Sequence, residues 1–173
     1  MKLEELSEIV EAIVQNRRIG QLKPYDLMQS IYRKKFPGEA LSILEPLLHV
    51  KNQVTRKEAI TMIGNLKQPP ELAGKVIEEA WERSWEFDVP QACDEAFRAL
   101  LKIGGNESRL LAMIDRAMEV DNYGIHKTCA EALMKLSTGR NLLTRWSETI
   151  AGQCDCHLHQ KLKTKIAKHL EAS

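Results

Sequence analysis

Four side chains able to hold zinc or another soft metal fall within six residues, in the string CDCHLH: Cys154, Cys156, His157 and His159. Their spacing differs from a closed zinc framework, which pairs Cys-x-x-Cys or His-x-x-x-His with a second, distant pair. At the i, i+4 spacing of a helix, Cys154 falls on Leu158 and not on another ligand. His126 and Cys129, one helical turn apart in an earlier segment, would join such a site only if the fold stacks that segment against this one. The same string serves equally well as a helix-start turn with incidental thiols, and no cofactor is expected.

Other residue groups point to binding. Trp81 and Trp85 lie four apart, hence on one face of a helix, and Trp146 follows later. Large exposed aromatics anchor protein partners. Trp81 shares its register with Met118, 37 residues on, and reads as core, whereas Trp85 aligns with Asn122 and reads as the more exposed of the two. Charge is uneven along the chain. Glu71 to Ala99 carries eight acids against three cations, which favours a basic partner, while Lys161 to Lys168 holds four lysines and no acid. Together with Arg140 and Arg145, Lys161, Lys163, Lys165 and Lys168 form a basic C-terminal set suited to phosphates. Glu58, Glu95 and Glu131 recur at one register, either as an acidic ladder or as ordinary solvated helix positions supported by nearby cations.

These residues are placed by a helical phrase that repeats: EAITMIGNLK from Glu58, EAFRALLKIG from Glu95 and EALMKLSTGR from Glu131. Its alanines, Ala59, Ala96 and Ala132, with Ala167 closing the series, are spaced by 37, 36 and 35 residues. A period of this length signals stacked supersecondary units. Before the phrase begins, Leu3, Leu6, Val10 and Ile13 make one amphipathic helix, and Pro24 and Asp26 open a second. A third is expected from Glu39 to Val50, kinked at Pro46. Further helices are expected from Thr55 to Leu66, Glu71 to Trp85, Pro90 to Ile103, after an Asn106 cap, after an Asn122-Tyr123-Gly124 turn, from Asn141 to Ala151, and from His157 to Leu170.

Pairs of antiparallel helices about 36 or 37 residues apart, an Ala-aliphatic core in the second helix, and endings such as Ile63-Gly64 and Ile103-Gly104 resemble the HEAT-repeat class. That resemblance implies an all-α fold: a right-handed α-α superhelix of about five helix pairs, whose second helices line a concave, partner-binding side. The expected organisation is a single repeat domain over 1–173, with 1–37 as an N-terminal capping pair and 38–173 as about four repeats. The landmarks of tetratricopeptide repeats are missing at the required offsets. Alkylpurine DNA glycosylases are built on similar repeats and make the comparison for an enzyme, but none of their catalytic residues can be matched to a position here.

The bulk numbers agree with a stable domain. A chain of 173 residues buries well over half of its unfolded surface without needing disulfides or a metal. Lys plus Arg number 25 against 24 Asp plus Glu, so no global charge draws the chain to nucleic acid or an acidic membrane. With four cysteines, no long apolar run and four glutamates in MKLEELSEIVEA, the expected setting is cytoplasmic and the expected thiols reduced. The sequence shows no glycine-rich phosphate loop, nucleophile elbow or paired-His zinc helix. The expectation is therefore a non-catalytic adaptor, regulator or inhibitor that binds another protein and no membrane. Arg56, Lys57, Asp94 and Lys127 lie near equivalent turns and, with Trp85, are the expected contacts. Nucleic-acid or nucleobase recognition through the basic C-terminal set is the alternative.

Overall fold

A computed structural model describes residues 1–84, 93–120, 122–136, 139–153 and 157–172, with the backbone alone at 93–94 and 149–153. Every regular element among them is helical. None of these helices is long and apolar enough to cross a membrane. The chain divides into two compact units, Met1–Ile103 and Gly104–Ser173.

In the N-terminal unit, α1 (Leu3–Val14) turns Leu6, Ile9, Val10, Ala12 and Ile13 inward and carries Glu4 and Glu5 in its first turn, where the helix dipole favours anions. Pro24 occupies the first turn of α2 (Pro24–Tyr32), and Asp26 accepts a hydrogen bond from the Lys23 N–H at 3.1 Å. The single kinked helix expected over Glu39 to Val50 is instead three short pieces. A 3₁₀ turn at Gly38–Ala40 leads into α3 (Leu41–Leu44) and then a second 3₁₀ segment, Glu45–His49. Pro46 has no N–H to give and its ring crowds the preceding turn, so the α pattern stops after one turn. Next comes α4 (Gln53–Gly64), which starts earlier than the apolar stripe suggests because Asn52 accepts from the Thr55 N–H at 3.1 Å and caps it. The unit ends with α5 (Leu72–Ser84) and α6 (Cys93–Ile103).

These pieces alternate between two layers. In one, α1 packs on α3 and the second 3₁₀ segment, which in turn meets α5. In the other, α2 packs on α4 and α4 on α6, the most extensive helix pairing among the described residues. Gly64 explains how α4 and α6 come so close. A Cβ there would lie 2.6 Å from Ala99 Cβ and 2.8 Å from Ala99 Cα. Beside this contact the buried rings of Trp81 on α5 and Phe97 on α6 sit 6.3 Å apart at 40°, so the core role expected for Trp81 holds.

The C-terminal unit comprises α7 (Glu107–Ala117), α8 (Tyr123–Leu133), α9 (Arg140–Gln153) and α10 (His157–Ala172). Here α8 packs on α7, α9 and α10, and α9 packs along α10. Asn106 stands at the start of α7 but does not cap it, since its amide donates to Gly104 O at 2.6 Å. Asn122 is the working cap. It accepts from the Ile125 N–H at 3.2 Å, which draws Tyr123 and Gly124 into the first turn of α8 and removes the expected turn. Of the spaced alanines, Ala59, Ala96 and Ala132 are buried, but Ala167 is exposed and Ile166 takes the inward position.

Gly64→Ala is expected to cost about 1–3 kcal/mol, as added volume does in a tight core. Phe97→Ala is expected to cost about 3–5 kcal/mol through the cavity it leaves. Urea denaturation followed by circular dichroism measures both. A Gly64→Ala protein as stable as the wild type would show that α4 and α6 do not meet this closely.

Candidate functional site

Several of the polar side chains singled out in the sequence are engaged between helices, with partners 29 to 37 residues away. Gln29 on α2 donates to Glu58 on α4 at 2.7 Å, and Lys102 on α6 bonds Asn65 at the end of α4. Arg83 on α5 meets the His49 ring in the second 3₁₀ segment. Arg145 on α9 pairs with Asp115 on α7, and Lys165 on α10 pairs with Glu131 on α8 at 2.9 Å. Arg140 donates to Leu170 O at 2.7 Å, satisfying a carbonyl in the last turn of α10. Thus Arg140, Arg145 and Lys165 of the basic set have partners within their own unit, while Lys161 and Lys168 are exposed and Lys163 is partly covered.

Glu131 has its carboxyl held below its ordinary value of 4.5, first by the hydrogen bond from Lys165 and then by the charges of Lys165, Lys127 and Lys135, with burial opposing. Lys127 is itself exposed one turn before it. Arg56, expected to contact a partner, turns back instead. Its guanidinium donates to Val50 O and Lys51 O, both at 2.8 Å, tying the first turn of α4 to the connector that precedes it. Lys57 is half-buried on the next position. Trp85 and the Asp94 side chain lie outside the described residues.

The structure separates the two described members of the CDCHLH group. His157 is exposed, whereas His159 is 4% exposed and packs on α8. Cys154 and Cys156 lie outside the described residues. Stacking does bring His126 to His159: Nδ1 of the first and Nε2 of the second are 3.3 Å apart, and Tyr123 meets the His159 ring edge-on at 5.2 Å. Trp146 is buried, at 6.4 Å from the His126 ring. Its indole N–H finds no hydrogen-bond partner among the described residues. The two imidazoles need one N–H and one lone pair between them. No group of three or more metal-binding side chains occurs among the described residues.

The feature that sequence reasoning did not find is an apolar groove in the N-terminal unit, of about 500 Å³. It lies where the end of α1, the start of α2, the second 3₁₀ segment and the start of α4 converge. Ile13, Met28, Pro46 and Val50 are among its lining residues, and Val14, Tyr25 and Val54 line it as well. The last three are 42%, 67% and 53% exposed, unusual for large apolar side chains gathered in one place. A signal was present: Tyr25 and Val54 are apolar residues in the first turn of their helices, off the buried stripe. Pockets of this volume and lining accept ligands or the anchoring side chains of a partner.

Glu131→Gln is expected to lower stability at neutral pH by about 0.2–1 kcal/mol, the size of a solvent-screened pair. Because the folded carboxyl titrates below its unfolded value, this contribution is present above the unfolded value and fades as pH falls through the lowered folded one. Melting curves of the two proteins should therefore converge in acid. A gap that persists undiminished at pH 2 to 3 would assign the loss to packing instead of charge. Comparison of the chain with family models, curated proteins and solved structures found no match.

Proposed function

We propose that this chain is a non-catalytic protein-interaction module, an adaptor, regulator or inhibitor, built as a HEAT-like helical solenoid. In each unit, helices one repeat apart pack side by side and are tied by polar pairs 29 to 37 residues apart in sequence. That is the nearest-neighbour pattern a stack of repeats requires. The groove bordered by exposed Val14, Tyr25 and Val54 is the observation that carries the binding reading. Leaving such side chains in water has an unfavourable hydration free energy that a partner would relieve. In this reading Lys57 and Lys127 supply polar contacts on second-position helices, and Arg56 shapes the wall of the groove.

Recognition of nucleic acid through α10 is the alternative, resting on the exposed Lys161 and Lys168. One experiment separates the two readings: tagged protein is used to capture partners from its own cell extract, with and without nuclease, as wild type, as Tyr25→Ala/Val54→Asp and as Lys161→Glu/Lys168→Glu. The expected result is a stoichiometric protein that survives nuclease and is lost with the groove variant alone. Material that disappears with nuclease and with the lysine variant would overturn the protein-binding reading.

A further inference from the structure

The groove stands in a basic setting. Residues 16–57, which supply most of its lining, hold nine Lys and Arg against three Asp and Glu in a chain whose net charge is only +1. At the rim, Lys51 lines the groove, and the connector carrying Arg17, Arg18 and Lys23 runs between two more lining residues, Asn16 and Pro24. Arg17 reaches Glu11 and Gln15. Arg18, Lys23 and Lys51 are exposed and have no ion-pair partner among the described residues. Two acids are close: Glu58 lines the groove and accepts from the Gln29 amide, and Asp26 accepts from the Lys23 N–H, so the cations are in excess at the rim. Leu22, in the same connector, adds another exposed apolar side chain, at 47%.

Exposed apolar side chains and an excess of positive charge therefore occur together around the cavity. A small ligand seated in the cavity would leave Tyr25 largely in water. A chain segment with its own apolar stripe would cover it, as amphipathic helices cover grooves elsewhere. The geometry points to one occupant: an acidic amphipathic helical segment of a partner protein, its apolar residues between Val14, Tyr25 and Val54 and its carboxylates facing Arg18, Lys23 and Lys51. This assignment rests on the protein-binding reading and names the chemistry of the partner. Opposite charge across the rim would raise the encounter rate and favour acidic over basic segments.

The test uses the full chain and three labelled peptides of about 18 residues, or five helical turns. All share one Leu and Phe stripe, and their polar faces are Glu, Gln or Lys. Fluorescence anisotropy is expected to show the Glu peptide binding at least about tenfold more tightly than the other two, more weakly as salt rises. Tyr25→Ala and Val54→Asp are each expected to weaken it about tenfold or more. A triple Arg18→Glu/Lys23→Glu/Lys51→Glu variant should remove the preference for Glu. These positions are exposed, and an acid at 54 sits in the first turn of α4 where the helix dipole favours it. Circular dichroism should therefore be unchanged.

Equal or tighter binding of the Gln or Lys peptide overturns the assignment, as does Glu-peptide binding that ignores Val54→Asp. Sedimentation with anionic phosphatidylglycerol vesicles, lost in the groove variants while no peptide binds, would assign the patch to a lipid surface and also overturn it. So would a concentration-dependent dimer abolished by Val54→Asp. If the Glu peptide fails but capture from extract still depends on Tyr25 and Val54, the binding-module reading stands and the acidic occupant does not.

Discussion

The N-terminal unit depends on how closely α4 and α6 can approach. Helices pack at a distance set by the side chains between them, and here one of those side chains is missing, at Gly64 against Ala99. With the backbones this close, Lys102 reaches Asn65 across one repeat. Phe97, two residues before Ala99, is held against Trp81 on the neighbouring layer. All three contacts share α6, and the first two depend on the same spacing between α4 and α6. A core packed to the density of an organic crystal has no slack to absorb a change in it.

Polar side chains play a different part. The pairs Gln29 with Glu58, Arg145 with Asp115, and Lys165 with Glu131 are exposed or half-exposed, so each adds little to stability. Each joins helices whose paired residues lie 29 to 34 apart in sequence. The interior of the C-terminal unit departs from this rule. His126 and His159 are buried, in contact with each other and with the rings of Trp146 and Tyr123. A hydrophobic pattern alone would place neither imidazole there.

What was legible in the sequence follows from which forces act along the chain and which act between segments. The alanine spacing was readable because small residues facing a neighbouring helix recur with the repeat, and Ala59, Ala96 and Ala132 are all buried. Ala167 broke the series because Leu162 and Ile166 define the inward stripe of α10, and the next residue is rotated by about 100° from it. Helix starts were less readable. Asn106 and Asn122 look alike as caps, and only the second accepts from a helical N–H. The difference lies in the turn before the first: Gly104 and Gly105 take positive φ, and the amide of Asn106 donates to Gly104 O. Arg56 looked like a free cation because its acceptors are backbone carbonyls that no side-chain pattern reveals.

The groove follows from a chain of such events. Pro46 cannot donate a backbone hydrogen bond, so the segment over 38–49 breaks into one α turn between two 3₁₀ pieces. A 3₁₀ helix has three residues per turn against 3.6, so its side chains leave the spacing that would fill the space against α1 and α2. Pro46, His49 and Val50 consequently line a cavity. Asn52 then starts α4 early and places Val54 on the open side of its first turn. In the connector between that segment and α4, the carbonyls of Val50 and Lys51, two residues that line the cavity, accept from Arg56. An arginine that reads as a partner contact in the sequence thus acts as a structural brace, and the surface it braces is apolar. Charge for recognition must come from the rim, where Arg18, Lys23 and Lys51 remain.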